Sequence, residues 1–93
     1  MNLKVQWTTQ FKKDYKAAIK RGRDISTLDD IIRMLSAGVC LPQKYRDHAL
    51  SGNFKGFREC HIEPDWLLVY SVQKQVLTLT LFRTGTHSDL FNK

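Results

Sequence analysis

Apolar residues near the N-terminus follow an extended spacing and then a helical one. Residues 3–7 alternate briefly between apolar and polar side chains, which predicts a first strand. The next apolar residues follow the i, i+4, i+7, i+8 spacing of an amphipathic helix: Phe11, Tyr15, Ala18 and Ile19. Thr8 or Thr9 can cap this helix, and Gly22 can end it in a left-handed conformation. A strand followed by a helix is therefore predicted.

A second amphipathic helix is predicted shortly after the first. Its apolar stripe consists of Leu28, Ile31, Ile32 and Leu35. Asp24 or Ser26 can start this helix and Gly38 can end it. Short amphipathic helices of this kind need a sheet to pack on.

The second half of the chain changes to a β pattern. Residues 39–53 form a predicted loop, followed by three predicted strands at 54–62, 66–72 and 76–83. A short helical turn at 88–91 completes the pattern. The order β-α-α-β-β-β predicts an α+β fold, with two N-terminal helices on one face of an antiparallel sheet and a single domain over residues 1–93.

The assumed turn lengths decide how the predicted hairpins align. A three-residue turn at 73–75 would set Asp65 opposite Arg83. A three-residue turn at 63–65 would then place His61 on the same sheet face as these two residues, whereas a two-residue turn would point it away. The three-residue turn is the favoured prediction.

Composition restricts the class of protein and its partners. The chain has 93 residues, a formal net charge of +6 and 42% hydrophobic residues, which suits one small core. Residues 1–23 carry seven of the fifteen Lys and Arg against one acid, Asp14, so this end attracts polyanions. No membrane segment or signal peptide is recognisable, and Cys40 and Cys60 lack metal-ligand spacing and are expected to be structural thiols. A cytoplasmic location is expected.

All three histidines lie in the second half of the chain, each within a short polar cluster. These are His48, His61 and His87. Imidazole titrates near neutral pH, so several of them beside Arg83 could move protons next to a phosphate. This pattern predicts one site that cleaves RNA. No serine or cysteine nucleophile is indicated, so the ribose 2′-OH is expected to attack.

Three segments of the chain closely resemble the YafQ branch of the RelE-type toxins. They are Asp47–Gly52, Phe54–Tyr70 and Arg83–Phe91, which contain the blocks His-Ile-Glu-Pro-Asp-Trp and Arg-x-Gly-Thr-His-x-x-Leu-Phe. The resemblance covers essentially the whole chain. It implies a toxin of a type II toxin-antitoxin system that cleaves messenger RNA on the ribosome, with contacts to 16S ribosomal RNA and a cognate acidic antitoxin as partner.

The resemblance also implies which residues form the active site. The matching positions are His48, His61, Asp65, Arg83, His87 and Phe91. Ala49 departs from the proline expected after the loop histidine. Lys55 and Arg58 are added as expected substrate-binding residues.

Cleavage by a 2′-OH assigns different tasks to these positions. Arg83 is expected to hold the scissile phosphate, because a guanidinium matches two phosphate oxygens. His87 is the expected general acid, and Phe91 can stack on a base. His61 is expected as base or base partner, with Asp65 orienting it or acting as the base. His48 is expected to transfer protons or contact the phosphate, and the order of these roles stays open.

Two other functions are compatible with parts of the pattern. Three histidines and an aspartate could bind zinc, but their spacing is not that of common sites and Arg83 would repel a cation, so neither a metal nor another cofactor is expected. A non-enzymatic toxin of the ParE type, which binds DNA gyrase, could share the fold. That alternative leaves the histidines without a role.

Overall fold

The first helix is capped by the residues that the sequence suggests. The computed structural model describes residues 2–91. Helix α1 spans Thr9–Lys20, and the Thr8 hydroxyl accepts a hydrogen bond from the backbone N–H of Phe11 at 2.9 Å. Gly22 follows with φ of 75°, a conformation that glycine adopts without strain. The predicted start and end are confirmed.

The second helix also matches its prediction. Helix α2 spans Ile25–Ser36, and the Asp24 carboxylate accepts from the backbone N–H of Thr27. Gly38 has a φ of 74° just beyond the last turn. Local residues therefore set both ends of this helix.

The sheet has five strands and is mixed. They are β1 (Lys4–Trp7), β2 (His48–Ala49), β3 (Arg58–Glu63), β4 (Trp66–Gln73) and β5 (Thr78–Gly85). Their order across the sheet is β1-β5-β4-β3-β2, and β1 pairs with β5 in parallel. The prediction of a wholly antiparallel sheet was therefore wrong at this edge. A parallel pair needs a long connection, and the helices and later strands between β1 and β5 supply it.

Both helices pack on the same face of the sheet. The shared core joins apolar side chains of α1 and α2 with alternate residues of β3, β4 and β5: Phe11, Ala18, Leu28, Ile31, Leu35, Cys60, Ile62, Trp66, Leu68, Tyr70, Leu79 and Leu81. Ile19, which the helical spacing placed on the packed face, is 52% exposed. The opposite face of β3 and β4 is turned away from the helices.

The β4–β5 hairpin does not have the predicted register. Its turn uses four residues, 74–77, and Leu77 is left-handed with φ of 48°. A bulge then shifts the pairing, so that Arg83 lies opposite Val69. The predicted pairing of Asp65 with Arg83 was wrong, because the longer turn and the bulge both shift the register. The sequence did not reveal either feature, since neither contains a glycine or proline.

The β3–β4 hairpin combines two deviations that cancel. Glu63 pairs with Trp66, so the turn has two residues and the predicted three-residue turn was wrong. A bulge between His61 and Glu63 restores the pairing of His61 with Leu67 that a three-residue turn would have given. His61 therefore keeps the register that was expected of it.

Three local features differ from the sequence predictions. Residues 54–57 precede the strand, because a single 3₁₀ turn occupies Gly52–Phe54 and β3 begins only at Arg58. Cys60 is buried as expected, but Cys40 is exposed. Helix α3 spans His87–Phe91 and so begins one residue before the predicted turn at 88–91.

Within residues 2–91, no helix combines the length and apolar character needed to cross a membrane.

Candidate active site

The three histidines lie side by side, although each belongs to a different element. His48 begins β2, His61 lies in β3, and His87 is the first residue of α3. The ring centroids of His48 and His61 are 6.1 Å apart, and those of His61 and His87 are 5.7 Å apart. The structure thus brings the three predicted segments into one row of imidazoles.

A buried carboxylate that the sequence analysis did not select lies between two of these rings. The Glu59 side chain is 7% exposed, and its Oε1 lies 3.3 Å from His61 Nε2 and 3.6 Å from His48 Nε2. Glu59 is two residues before His61 in β3 and pairs directly with His48 of β2, so all three share one sheet face. An acid two positions from a histidine in a strand was the available sequence signal.

The other ring nitrogens of these two histidines face carbonyl oxygens. His48 Nδ1 lies 2.8 Å from the Arg46 carbonyl, and His61 Nδ1 lies 3.4 Å from the Pro64 carbonyl. A carbonyl oxygen can only accept a hydrogen bond, so Nδ1 carries the hydrogen in both rings and donates it, and each Nε2 is directed at Glu59.

This arrangement could also hold a cation. The ligand-type atoms of His48, Glu59 and His61 all lie within 4.8 Å of one another. Two imidazole nitrogens and a carboxylate oxygen suit zinc or a similar metal, and Nδ1–H bonds to carbonyls are the usual support of metal-binding histidines. The sequence spacing did not indicate this set, because its members come from separate strands.

Asp65 orients His87 rather than His61. Asp65 Oδ1 lies 2.6 Å from His87 Nδ1 and accepts a second hydrogen bond from the His87 backbone N–H at 2.9 Å. The backbone bond, followed by the contact with the ring, lowers the pKa of the Asp65 carboxyl below its ordinary value. The expectation that Asp65 would orient His61 was therefore wrong, since the β3–β4 turn carries it to the start of α3.

Arg83 is bound to an aspartate of α1. Its Nε donates to Asp14 at 2.7 Å and its Nη2 at 3.3 Å, while the Thr84 backbone N–H donates to the same carboxylate at 3.1 Å. The Arg83 side chain is 26% exposed and that of Asp14 is 10% exposed. Part of the guanidinium that was expected to hold phosphate is thus used to join α1 to β5.

The remaining predicted residues have different surroundings. Phe91 of α3 packs edge-on against Phe54, with ring centroids 5.1 Å apart. Lys55, next to Phe54, is exposed. Arg58 donates through Nε to Asp47 at 3.2 Å, and this contact raises the pKa of the guanidinium. Arg58 is thus paired with a neighbouring acid, while Lys55 is open to solvent.

Asp47 fixes the loop that carries His48. Its Oδ1 accepts a hydrogen bond from the Tyr70 hydroxyl at 2.5 Å, in addition to the bond from Arg58. Burial, followed by the bond to Asp47, raises the pKa of the Tyr70 phenol, so this hydroxyl remains a donor. The residue directly before His48 is therefore anchored to the middle of the sheet.

A cleft beside His61 contains two basic residues that the sequence analysis did not select. Lys44 and Arg46 line it together with His61, Glu63 and Pro64, and the cleft has a volume of about 400 Å³. Both residues belong to the predicted loop, and nothing in their sequence distinguished them from other surface lysines and arginines. Their position makes them candidate contacts for RNA phosphates.

Comparison with known proteins gives consistent matches over nearly the whole chain. A family model described as the bacterial toxin YafQ of type II toxin-antitoxin systems matches residues 3–92. The mRNA interferase toxin YafQ of Escherichia coli K12 is 40% identical over 88 residues, which cover 94% of each chain. The toxin in the crystal structure of the E. coli DinJ-YafQ toxin-antitoxin complex is 38% identical, with a TM-score of 0.89 and coverage of 98% of this chain and 99% of that one. A metal-bound toxin from Helicobacter pylori is 45% identical, with a TM-score of 0.90 and coverage of 96% and 99%.

Proposed function

The chain belongs to the YafQ family of bacterial toxins of type II toxin-antitoxin systems, and on this premise we propose that it cleaves messenger RNA while the message is bound to a translating ribosome. It is an mRNA interferase, an endoribonuclease that acts as the toxin of its system. The observation that carries the proposal is the row of His48, His61 and His87 with Asp65 bound to His87. Proton-transfer groups grouped in this way are what RNA cleavage requires.

The proposed reaction is attack by the ribose 2′-OH on the adjacent phosphate. The 2′ oxygen forms a bond to phosphorus, its proton passes to a base, and the 5′ oxygen leaves with a proton from an acid. The products are a 2′,3′-cyclic phosphate and a 5′-hydroxyl. His87 is the acid, because Asp65 holds Nδ1 and leaves Nε2 for the leaving oxygen.

The base is drawn from the cluster of His48, Glu59 and His61. His61 lies between the other two rings, so it is the nearest of the cluster to the acid. Glu59 supports the proposal because its Oε1 lies beside the Nε2 atoms of both histidines, where a carboxylate stabilises the positive charge that a ring gains when Nε2 accepts the proton. A base and an acid on adjacent rings can serve the two opposite oxygens of one phosphate.

The phosphate itself needs positive charge. Arg83 keeps N–H groups that the two bonds to Asp14 do not use, and these are proposed to contact a phosphate oxygen. Lys44 and Arg46 line the cleft at His61 and are proposed to hold the neighbouring phosphates of the strand. Phe91 is proposed to stack on a base and Lys55 to contact the RNA backbone. Arg58, which was also expected to bind substrate, is bonded to Asp47 and is proposed to support the loop that carries His48.

The partner of the toxin is an antitoxin, as in the E. coli DinJ-YafQ complex to which the chain is similar. We propose that this antitoxin is acidic, because the toxin has a net charge of +6. Contacts of the basic α1 surface with 16S ribosomal RNA, a cytoplasmic location and one folding domain over residues 1–93 are part of the same proposal.

The test is cleavage of one message in two states. Purified ribosomes programmed with a defined message are compared with the same message in naked form, and primer extension maps the cuts. Cleavage on translating ribosomes, between codon positions, is expected, with little or no cleavage of naked RNA. His87→Ala serves as the inactive variant and Gln75→Ala, in the exposed β4–β5 turn, as the matched control.

Two outcomes would contradict the proposal. Equal cleavage of naked and translated message would show that the ribosome is not needed to align the RNA. Inhibition of gyrase supercoiling without any cleavage would favour the ParE-type alternative. The second outcome would also leave the row of histidines without a function.

A further inference from the structure

The C-terminal helix is closed at its start by a reciprocal pair of hydrogen bonds. The Asp89 backbone N–H donates to Thr86 Oγ1 at 3.0 Å, and Asp89 Oδ2 accepts from the Thr86 backbone N–H at 3.1 Å. The same carboxylate oxygen accepts from Arg21 Nη1 at 2.8 Å. The ion pair with Arg21 and the Thr86 backbone bond lower the pKa of Asp89. Asp89 thus organises α3 and joins it to the end of α1.

Gly85 provides the space for this arrangement. A Cβ at residue 85 would lie 2.9 Å from Asp89 Cβ and 3.0 Å from Asp89 Oδ2, closer than carbon atoms normally approach. The glycine lets the side chain of Asp89 fold back over the end of β5. Close packing against Asp89 therefore explains the glycine in the Arg-x-Gly-Thr-His segment.

Helix α3 depends on such outside contacts for its position. It has five residues, fewer than an isolated helix needs to be stable in water. Three contacts hold it: Asp65 with His87, Phe54 with Phe91, and Arg21 with Asp89. Only the last of these three joins α3 to α1, which is itself fixed to β5 by the bonds from Arg83 and Thr84 to Asp14.

A depression beside the contact between α1 and α3 is lined by three arginines, but each of them is paired with a carboxylate. Arg21, Arg23 and Arg83 line it, together with Asp14 and Asp89. Each arginine is within 4 Å of a carboxylate: Asp89, Glu63 and Asp14 respectively. Arg21 and Arg23 therefore join elements of the fold here, and only Arg83 is also proposed to contact the phosphate of the substrate.

We propose that Arg21 and Asp89 are positioning residues for the catalytic His87, holding α3 so that the His87 ring stays beside His61. Neither side chain is among those placed at the reacting phosphate. This proposal rests on the proposed function, in which His87 is the general acid. It adds a dependence of catalysis on a contact between α3 and α1.

The test compares this pair with a second, more exposed ion pair that does not contact α3. Arg21→Gln, Asp89→Asn and the double variant are measured beside Arg33→Gln, which removes the exposed pair with Asp30 on α2. Single-turnover cleavage on programmed ribosomes should fall on the order of tenfold in the first three variants, with unchanged KM, because small misplacements of a catalytic group are costly. Arg33→Gln should cleave at the wild-type rate.

Hydrogen exchange gives a second measurement, which does not depend on the toxin being active. The Leu90 backbone N–H donates to the Thr86 carbonyl inside α3, so its hydrogen exchange reports the order of this helix. Exchange at Leu90 should be faster in Arg21→Gln and Asp89→Asn, while core amides and the thermal midpoint stay nearly unchanged. Arg21→Lys, which keeps a cation, should recover most of the rate.

The possible results separate the two proposals. Slower cleavage without faster Leu90 exchange, or faster exchange with a full rate of cleavage, would overturn the positioning role. A double variant in which the two single effects multiply would also overturn it, because one contact can be lost only once. If the wild-type toxin cleaves no message, the proposed function fails, and unchanged exchange at Leu90 would independently reject the structural tie.

Discussion

At the scale of single residues, the hydrogen bond at one ring nitrogen decides what the other nitrogen can do. Asp65 binds Nδ1 of His87, whereas carbonyl oxygens bind Nδ1 of His48 and of His61. His87 is thus directed to a different task from the other two, because its Nε2 does not face Glu59 among the contacts that the structure describes. The three histidines look alike in sequence and are distinguished only by these partners.

His87 and Arg83 should give different results when each is replaced by alanine. His87→Ala should slow cleavage by about a hundredfold or more at an unchanged melting temperature, since it removes a general acid at a half-exposed position. Arg83→Ala should slow cleavage and also lower stability by about 2 kcal/mol, because it leaves the largely buried Asp14 without its cation. Initial rates and thermal melts measure the two effects.

The double variant Arg83→Ala with Asp14→Ala provides the control for that comparison. It should recover much of the stability but none of the activity, because the unpaired carboxylate is gone while the phosphate contact is still missing. Wild-type rates for both His87→Ala and Arg83→Ala would exclude the proposed site. A stable Arg83→Ala variant would show that the pair with Asp14 contributes little.

Metal removal is the second prediction at this scale. Proton transfer by His61 and His87 needs no bound cation, so a zinc-selective chelator should leave cleavage intact on ribosomes that keep their magnesium. The cluster of His48, Glu59 and His61 makes the opposite result chemically reasonable. Loss of activity that added zinc restores would mean that the cluster holds a catalytic metal.

At the scale of elements, the site depends on how short segments are anchored to the sheet. Sequence patterns predicted α1 and α2 with their ends, because Thr8, Asp24 and the two glycines act locally. They did not predict the hairpin registers. The left-handed Leu77 and the bulge after Val69 have no glycine to mark them, and tertiary packing determines both.

The same limit applies to the candidate site. The histidines could be selected from the sequence because they are few, the assumed hairpin register drew attention to Asp65, and the family resemblance added Phe91. For Glu59 the sequence offered only its position two residues before His61, and its contact with His48 became visible when β3 was placed beside β2. The partner of Arg83 could not be predicted either, since Asp14 is 69 residues away in the chain.

The loop before β2 gives the third prediction. Asp47 is held by Tyr70 and Arg58, and it directly precedes His48. Asp47→Ala should therefore slow cleavage by displacing His48, and the variant should lose little more when His48→Ala is added. Rates of the two single variants and the double variant form the measurement. Fully additive effects would show that Asp47 acts independently of His48.

Tyr70→Phe is the matched control for the role of Asp47. It removes one of the two side-chain bonds to Asp47 and keeps the buried ring, so its effect on cleavage should be smaller than that of Asp47→Ala. If the two substitutions slowed cleavage equally, the bond from the Tyr70 hydroxyl would account for the whole effect of Asp47 on cleavage.

At the scale of the whole molecule, an apolar core carries a polar site on the opposite face of the sheet. Every buried side-chain nitrogen and oxygen among the described residues has a hydrogen-bond partner. The core between the helices and the sheet is made of apolar residues, whereas α3 is held largely by carboxylates at its start. The two parts of the molecule should therefore respond differently to acid.

Acid should release α3 before it unfolds the core. The pKa values of Asp65 and Asp89 are lowered in the folded state, so the unfolded chain binds more protons as the pH falls. Their contribution to stability is present above the ordinary aspartate value of about 4 and is lost as the pH falls below it. NMR signals of α3 should thus change as the pH falls below about 4, while core signals persist. In Arg21→Gln the change should begin at a higher pH, because Asp89 loses the cation that lowers its pKa most. Simultaneous loss of α3 and core signals, or identical titrations in the two proteins, would show that these carboxylates do not control the helix that carries His87.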